Sequence, residues 1–196
     1  MAARDGFGGP RVVAIGAVAI LGIAGAVIST RDPGEHEFRA LLRVTAMTST
    51  LLFLPIFTAA ARQLRWPSAT GRWVLANRRY LGLTFATSHA VHTYAIVSLI
   101  RLVPQGAAAI NPLTRLFGGA GLVLIAAMAA TSNDASQRAL GPWWGRLHRV
   151  GLWVVWLDFA FTYSNAAAVS PFHALLTVLF LAAAAFRLWP MPVRAT

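Results

Sequence analysis

Six apolar segments separated by short polar connections dominate the pattern of this chain. They predict helices at about 12–29, 40–61, 80–100, 116–131, 150–165 and 171–188, with no connection long enough for a soluble domain. A membrane-spanning helix needs roughly 20 predominantly apolar residues, and these segments approach that length. The pattern therefore predicts an all-α protein with one membrane domain over residues 1–196, folded as a six-helix transmembrane bundle.

The first apolar segment also allows a second interpretation, as a signal peptide. Arg4 and Arg11 precede it, and the tripeptide Ala-Gly-Ala at 24–26 resembles a cleavage site. The uninterrupted apolar run from Val12 to Ile28 is longer than the apolar part of a usual signal peptide. We therefore expect a retained helix.

The composition supports a membrane protein and excludes several kinds of site. Of 196 residues, 57% are hydrophobic and 12% charged, whereas soluble domains carry about a quarter charged residues. The absence of cysteine excludes disulfides, thiolate metal sites, iron–sulfur clusters and cysteine-attached heme. All 17 cationic residues are arginine, which also excludes a lysine Schiff base. Since these arginines fall between apolar runs, we expect a lipid bilayer and no nucleic acid as the partner.

The distribution of arginine predicts the orientation, because positive residues collect in cytoplasmic connections. With a cytoplasmic N-terminus, the inner segments carry Arg4, Arg11, Arg62, Arg65, Arg72, Arg78, Arg79, Arg138, Arg146, Arg149, Arg187 and Arg194. The outer segments carry Arg31, Arg39, Arg43, Arg101 and Arg115, together with Asp32, Glu35 and Glu37. The inner boundary also carries Trp66, Trp73, Trp143, Trp144 and Trp189. Both signals predict that the N-terminus and the C-terminus are inside.

Few ionisable side chains lie within the apolar segments, and each is a functional candidate because burying it in lipid is costly. They are His89, His92, His148, Asp158 and His173. From a rise of about 1.5 Å per residue, His92 lies roughly 20 Å from the inner boundary, whereas His148 lies at that boundary. We expect His92 and His173 to approach one level, with His89 slightly deeper and His148 apart from all three.

These residues allow more than one role. A neutral imidazole can ligate heme iron between facing helices, or it can only hydrogen-bond to a neighbouring helix. Asp158 can accept a hydrogen bond from a histidine Nδ1–H and so support a ligand, or it can pair with Arg43.

The remaining polar residues carry weaker signals. His36 is predicted to be a solvated residue of the first outer loop, and Tyr94 and Tyr163 are expected to hydrogen-bond in the outer half. The chain has no phosphate-binding glycine motif and no hydrolase or zinc-protease motif. Pro55 is the one clear helix breaker, whereas transporters usually show interrupted helices and repeats.

Three sequence runs together resemble a known family. Arg78-Arg79-Tyr80-Leu81-Gly82-Leu83 leads into His92, Ala130-Thr131-Ser132-Asn133 follows the fourth segment, and Leu140-Gly141-Pro142-Trp143-Trp144-Gly145-Arg146-Leu147-His148-Arg149 precedes the fifth. The chain is similar over about Arg78–Asn165 to the ferric reductase-like transmembrane family. Within it, the heme-binding (MsrQ-like) membrane subunits of methionine sulfoxide reductase systems are the most similar. The resemblance implies six helices in a bacterial inner membrane and b-type heme that passes electrons to an outer partner.

The resemblance also assigns ligands. His92 matches the family's helix-three ligand and His148 its first helix-five histidine, while a further family histidine falls at Phe161. Arg78 stands at the level that faces His148 and would act beside the heme, as would Asp158. The resemblance therefore implies one heme b or none, with His92 and His148 as iron ligands and His173 or His89 as substitutes.

Two functions remain open from the sequence. The first is a b-type cytochrome-like subunit that relays electrons from a redox partner protein or quinol. Such a chain would be the electron-transfer subunit of an oxidoreductase. The second is a heme-free or pigment-binding accessory subunit of a larger membrane complex built on the same scaffold.

Overall fold

The computed structural model describes residues 7–29, 32–105 and 111–190, and within these ranges it is helical and contains no strand. Its helices are α1 (Pro10–Val27), α2 (Glu35–Arg65), α3 (Ala69–Leu102), α4 (Pro112–Ala130), α5 (Asp134–Leu140), α6 (Pro142–Ala167) and α7 (Pro171–Leu188). Arg4, Arg31 and Arg194, which entered the prediction of orientation, lie outside the described residues.

Local sequence explains where these helices begin. Proline occupies the first turn of α1, α4, α6 and α7, where its missing N–H is not needed and its fixed φ suits a helix. Side-chain oxygens cap the first turns of other helices. At the start of α3, Ser68 Oγ accepts a hydrogen bond from Gly71 N (3.0 Å), and at the start of α5, Asn133 Oδ1 accepts one from Ser136 N (2.8 Å). Gly141, at φ 50°, makes the turn between α5 and α6 that an L side chain rarely adopts.

Five helices, α1, α2, α3, α4 and α7, are long and apolar enough to cross a membrane. The prediction of a multi-pass helical membrane protein is therefore confirmed. The predicted fifth span lies within α6, which packs against both α4 and α7. It carries three charged residues, Arg146, Arg149 and Asp158, and is not among those five.

Several predicted boundaries were wrong. The structure extends α2, α3 and α6 well beyond the apolar runs at 40–61, 80–100 and 150–165, because helical backbone hydrogen bonding continues through the polar turns that flank each run. The short helix α5 was missed. Pro55 does not interrupt α2, and His36 lies in the first turn of α2 rather than in a loop, although its side chain is 86% exposed.

The helices alternate in direction, which gathers six helix ends at one end of the bundle. Here α1, α3 and α6 begin, and α2, α4 and α7 end. The hydrogen bonds between these ends are Gly9 N to Asn77 Oδ1 (2.7 Å), Arg79 Nε to Ser132 O (2.7 Å), Arg65 Nη2 to Trp189 O, and Trp144 Nε1 to Thr131 O (3.0 Å). We call the end of the bundle where these six helix ends meet the arginine-rich end, and we call the other end the opposite end.

Five buried phenylalanines form a layer across the middle of the bundle. Phe53 lies at its centre, with ring centroids 5.4 Å from Phe57, 5.7 Å from Phe85, 5.6 Å from Phe159 and 6.1 Å from Phe180. Each is at most 7% exposed, and they come from α2, α3, α6 and α7. This phenylalanine layer separates the polar residues of the two ends.

Candidate functional site

A cavity of about 380 Å³ lies at the arginine-rich end, between α2, α3, α4, α6 and α7. Its walls are mostly apolar and include Phe53, Phe85, Ile125, Leu152 and Val155. Its polar lining includes His148 and four arginines, Arg78, Arg79, Arg149 and Arg187. A concave, largely apolar space with a few converging polar groups is typical of a small-molecule site, and this volume falls within the usual range.

His148 is held in one tautomer within this lining. Its Nδ1 lies 3.0 Å from the carbonyl oxygen of Trp144, one turn earlier on α6. A carbonyl only accepts, so Nδ1 carries the proton and Nε2 keeps its lone pair. Nε2 is buried and has no hydrogen-bond partner. An imidazole oriented by a backbone carbonyl, with its other nitrogen bare, is the arrangement found in metal-ligating histidines.

The four arginines of the cavity differ in what they already contact. Arg79 donates to Asp134 Oδ1 (2.6 Å) and to the carbonyl of Ser132. Arg187 donates to the carbonyl of Phe57, and its guanidinium lies 4.6 Å from the centre of that ring. For Arg78 and Arg149 the described residues provide no ion pair and no hydrogen-bond acceptor. None of the described lining residues is acidic.

Two glycines keep the cavity open. Gly82 on α3 and Gly145 on α6 both line it, and a Cβ built at either position would meet nothing within 4 Å. The arrangement therefore leaves open space beside His148 and the arginines, side chains that are able to bind a metal and anionic groups respectively.

At the opposite end, His92 is held in the same way as His148. Its Nδ1 lies 2.8 Å from the hydroxyl oxygen of Thr45 on α2. That hydroxyl lies 2.7 Å from the carbonyl oxygen of Leu41 and donates its hydrogen there, so it accepts from His92 Nδ1–H. His92 Nε2 therefore also keeps its lone pair. The His89 ring lies 5.5 Å from the His92 ring, and His89 Nδ1 is buried without a partner.

The prediction that His92 and His173 approach one level stays a prediction, and among the described residues His173 makes no ring contact with His92 or His89. His173 Nδ1 lies 2.8 Å from the hydroxyl of Ser170, which caps the same helix. The His173 ring packs on Tyr163 (5.9 Å), and the Tyr163 ring packs on Phe159, which lies beside His89. Ring contacts through Tyr163 and Phe159 therefore connect His173 to His89. The expectation that His148 lies apart from the other three agrees with the structure.

Asp158 on α6 faces the glycines of α4 instead of a charged partner. A Cβ at Gly121 would lie 3.4 Å from Asp158 Oδ2, and one at Gly118 would lie 3.8 Å from Oδ1. Among the described residues Asp158 has no hydrogen bond to a histidine and no ion pair with Arg43, which is itself exposed. Both expected pairings were therefore wrong.

The tyrosine and phenylalanine positions gave mixed outcomes. Tyr163 does hydrogen-bond in the half of the bundle predicted to be outer, with its hydroxyl 2.6 Å from Thr50 Oγ1. Tyr94 is 52% exposed and packs its ring on Phe38. Phe161 packs on Phe117 of α4 (5.2 Å), whereas the α6 ring that contacts His89 is Phe159. Position 161 therefore faces α4 rather than the histidines of α3.

Sequence reasoning missed several residues that build these regions. Arg149 and Arg187 entered only as charges for orientation, although Arg187 interrupts an otherwise apolar run, which marks it as a candidate lining residue. Thr45 was missed as the partner of His92. Its position four residues before Ser49 puts both hydroxyls on one buried face of α2.

Comparisons with protein-family models, with curated proteins and with solved structures find no match to this chain. Within the described residues, no three histidine, aspartate or glutamate side chains group together as they would around a metal ion. The function therefore has to be argued from the two regions themselves.

Proposed function

We propose that this protein is a multi-pass membrane subunit that binds one b-type heme at the arginine-rich end and relays electrons. The observation that carries the proposal is His148, whose Nδ1 is fixed by the Trp144 carbonyl while its buried Nε2 has no partner. When bound, a heme supplies a one-electron couple between ferric and ferrous iron.

The surroundings of His148 support this ligand. His148 would hold the iron through Nε2, and the apolar walls would cover the macrocycle. The guanidinium groups would stabilise its carboxylates, since arginine pairs well with carboxylate. The open space beside Gly82 and Gly145 leaves room between α3 and α6.

The proposal ranks His148 above His92, His173 and His89 as a ligand. His92 and His89 are three residues apart on one helix, so they share a face and cannot hold one iron from opposite sides. Phe159 packs beside His89, and no other histidine is in ring contact with the pair. His92 therefore remains a second candidate with a bare Nε2 but no cavity described beside it.

The proposal includes an orientation. We place α6 as a sixth span, because its 26 residues would extend about 39 Å and it packs between two apolar helices. The arginine-rich end would face the cytoplasm of a bacterial inner membrane, following the positive-inside rule. The N-terminus and C-terminus would then be inside, and a redox partner protein or a quinol would exchange electrons with the heme.

A reduced-minus-oxidised absorption spectrum, with heme quantified against polypeptide, tests the proposal. We expect a b-type spectrum with about one heme per chain, its loss in His148→Ala, and its retention in His92→Ala. His36→Ala is the matched control, because that side chain is exposed and far from the cavity lining. Folded wild-type protein purified without heme from heme-supplied cells would contradict the proposal. Loss of heme in His92→Ala alone would move the site to the opposite end.

One observation favours a second candidate function. His148 is the single imidazole among the described residues that line the cavity, and one histidine is enough to hold the magnesium of a chlorophyll-type pigment. The chain would then be a pigment-binding accessory subunit of a larger membrane complex. Solvent extraction of the purified protein, followed by an absorption spectrum, distinguishes a magnesium pigment from heme.

A further inference from the structure

Two of the four arginines in the cavity differ from the others because they have no ion pair and no hydrogen-bond acceptor among the described residues. Arg79 is paired with Asp134, and Arg187 is tied to the Phe57 carbonyl and packed over aromatic rings. Arg78 on α3 and Arg149 on α6 line the same cavity, and the described residues give neither an ion pair nor an acceptor. Arginine is charged at any working pH, so these two positive charges persist in the site.

These two arginines border one cavity from two different helices, so both can contact the same ligand. Arg149 directly follows His148 on α6, and Arg78 comes from a different helix that lines the same space. None of the described lining residues is acidic, so none of them neutralises these two charges. Both side chains are also exposed at the edge of the cavity, so each is free to donate hydrogen bonds to an anionic group of a bound ligand.

We propose that this cavity selects a macrocycle that carries two free carboxylates, with Arg78 and Arg149 holding one each, and that it discriminates against an esterified pigment. This inference rests on the proposed function, since it concerns the ligand class of the same cavity. It decides between the two candidate functions, because heme b carries free propionates whereas a chlorophyll-type pigment is esterified.

The test is a titration of purified protein in dodecyl maltoside micelles with two probes, ferric protoporphyrin IX and its dimethyl ester. Soret absorbance measures binding, and protein-free micelles correct for partition of each probe. Both probes can bind through Nε2 of His148, and only the first has carboxylates. Because a hydrogen bond to a charged group contributes about 1.5–3 kcal/mol, we expect about tenfold or more tighter binding of the free acid.

Variants identify the residues responsible. The double variant Arg78→Gln with Arg149→Gln should lose the preference for the free acid and keep the affinity for the ester. Arg72→Gln and Arg146→Gln are matched controls, because these arginines lie on α3 and α6 outside the cavity lining. If the double variant does not fold, the comparison of the two probes on the wild-type protein still decides the proposal.

Each outcome has a distinct meaning. Equal binding of both probes by the wild-type protein overturns the inference and leaves the proposed function standing. Binding of neither probe overturns both. A preference that survives in the double variant assigns it to other residues and overturns the role of Arg78 and Arg149. The headgroup of an anionic lipid is the other source of the negative charge that Arg78 and Arg149 would bind. If phosphatidylglycerol copurifies with the wild-type protein and is lost in the double variant while the probe preference is unchanged, the arginines bind lipid instead.

Discussion

Each end of the bundle presents one histidine, His92 or His148, whose Nδ1 is hydrogen-bonded and whose Nε2 keeps a lone pair. At the opposite end, His89 and His92 share one face of α3, their rings are 5.5 Å apart, and Phe85 and Phe159 pack against His89. At the arginine-rich end, His148 has no second histidine beside it, yet it lines a cavity of about 380 Å³ with four guanidinium groups.

The difference shows that the number of imidazoles does not define the better site. A ligand needs space, apolar cover and partners for its charges, and only His148 among the histidines lines a cavity described here that offers all three. His92 instead bonds the hydroxyl of Thr45, whose backbone carbonyl accepts from the Ser88 hydroxyl, and Ser88 bonds Ser49 in turn. These hydrogen bonds fix α2 against α3, which is a structural role.

The largest effect should come from removing the layer that separates the two ends. Phe53→Ala deletes a ring that is 2% exposed and contacts four other phenylalanines, so we expect a loss of about 3–5 kcal/mol in the free energy of unfolding. Titration with sodium dodecyl sulfate in mixed micelles measures it. Leu51→Ala, 68% exposed on the same helix, is the control. Equal losses in the two variants would mean that the buried ring contributes no more to stability than an exposed leucine of the same helix.

The next effect concerns the space at the arginine-rich end. Gly82→Leu puts a side chain into open space within the cavity, so we expect heme retention to fall about tenfold, which corresponds to about 1.4 kcal/mol, with no loss of stability. Heme content per chain and the unfolding titration measure the two quantities. Gly25→Leu on α1 has equally open space outside the cavity and should retain heme. Full heme content in Gly82→Leu would place the ligand elsewhere.

A smaller effect is expected for the hydrogen bond that orients His92. Thr45→Val keeps the side-chain shape and removes the acceptor of His92 Nδ1–H, which should lower the free energy of unfolding by about 1 kcal/mol. Thr48→Val is matched, because its hydroxyl bonds only a carbonyl of its own helix. The nitrogen-15 shifts of His92 should move only in the first variant. Unchanged shifts would show that the tautomer has another cause.

The smallest changes in the free energy of unfolding are expected for two carboxylates, Asp158 and Asp134, which lie in different regions of the bundle. Asp158→Asn replaces a partly buried carboxylate that has no partner among the described residues, so we expect no loss in the free energy of unfolding. Asp134→Asn breaks an exposed pair with Arg79 and should cost about 0.2–1 kcal/mol. Both are measured by the same unfolding titration. A loss above about 1 kcal/mol for Asp158→Asn would reveal a bonded partner for that carboxylate.

The helical class and the separation of His148 from the other histidines could be predicted, because both depend on apolar run length and helix rise. Helix ends could not, since caps such as Ser68 lie in polar sequence that the apolar pattern does not mark. The neighbours of Asp158 and Phe161 depend on how α6 is rotated against α4. Residues 153–161 contain four aromatic residues and one aspartate. The hydrophobic pattern of this stretch therefore does not indicate which face of α6 packs against α4.

The phenylalanine layer also has a consequence for the permeability of the membrane. Phe85 lines the cavity on one side, and on the other its ring lies 5.4 Å from that of His89. Water enters a protein interior only where polar groups receive it, and the buried rings of this layer offer none. At Phe85, a file of water from the cavity towards His89 is therefore interrupted by a single buried aromatic ring.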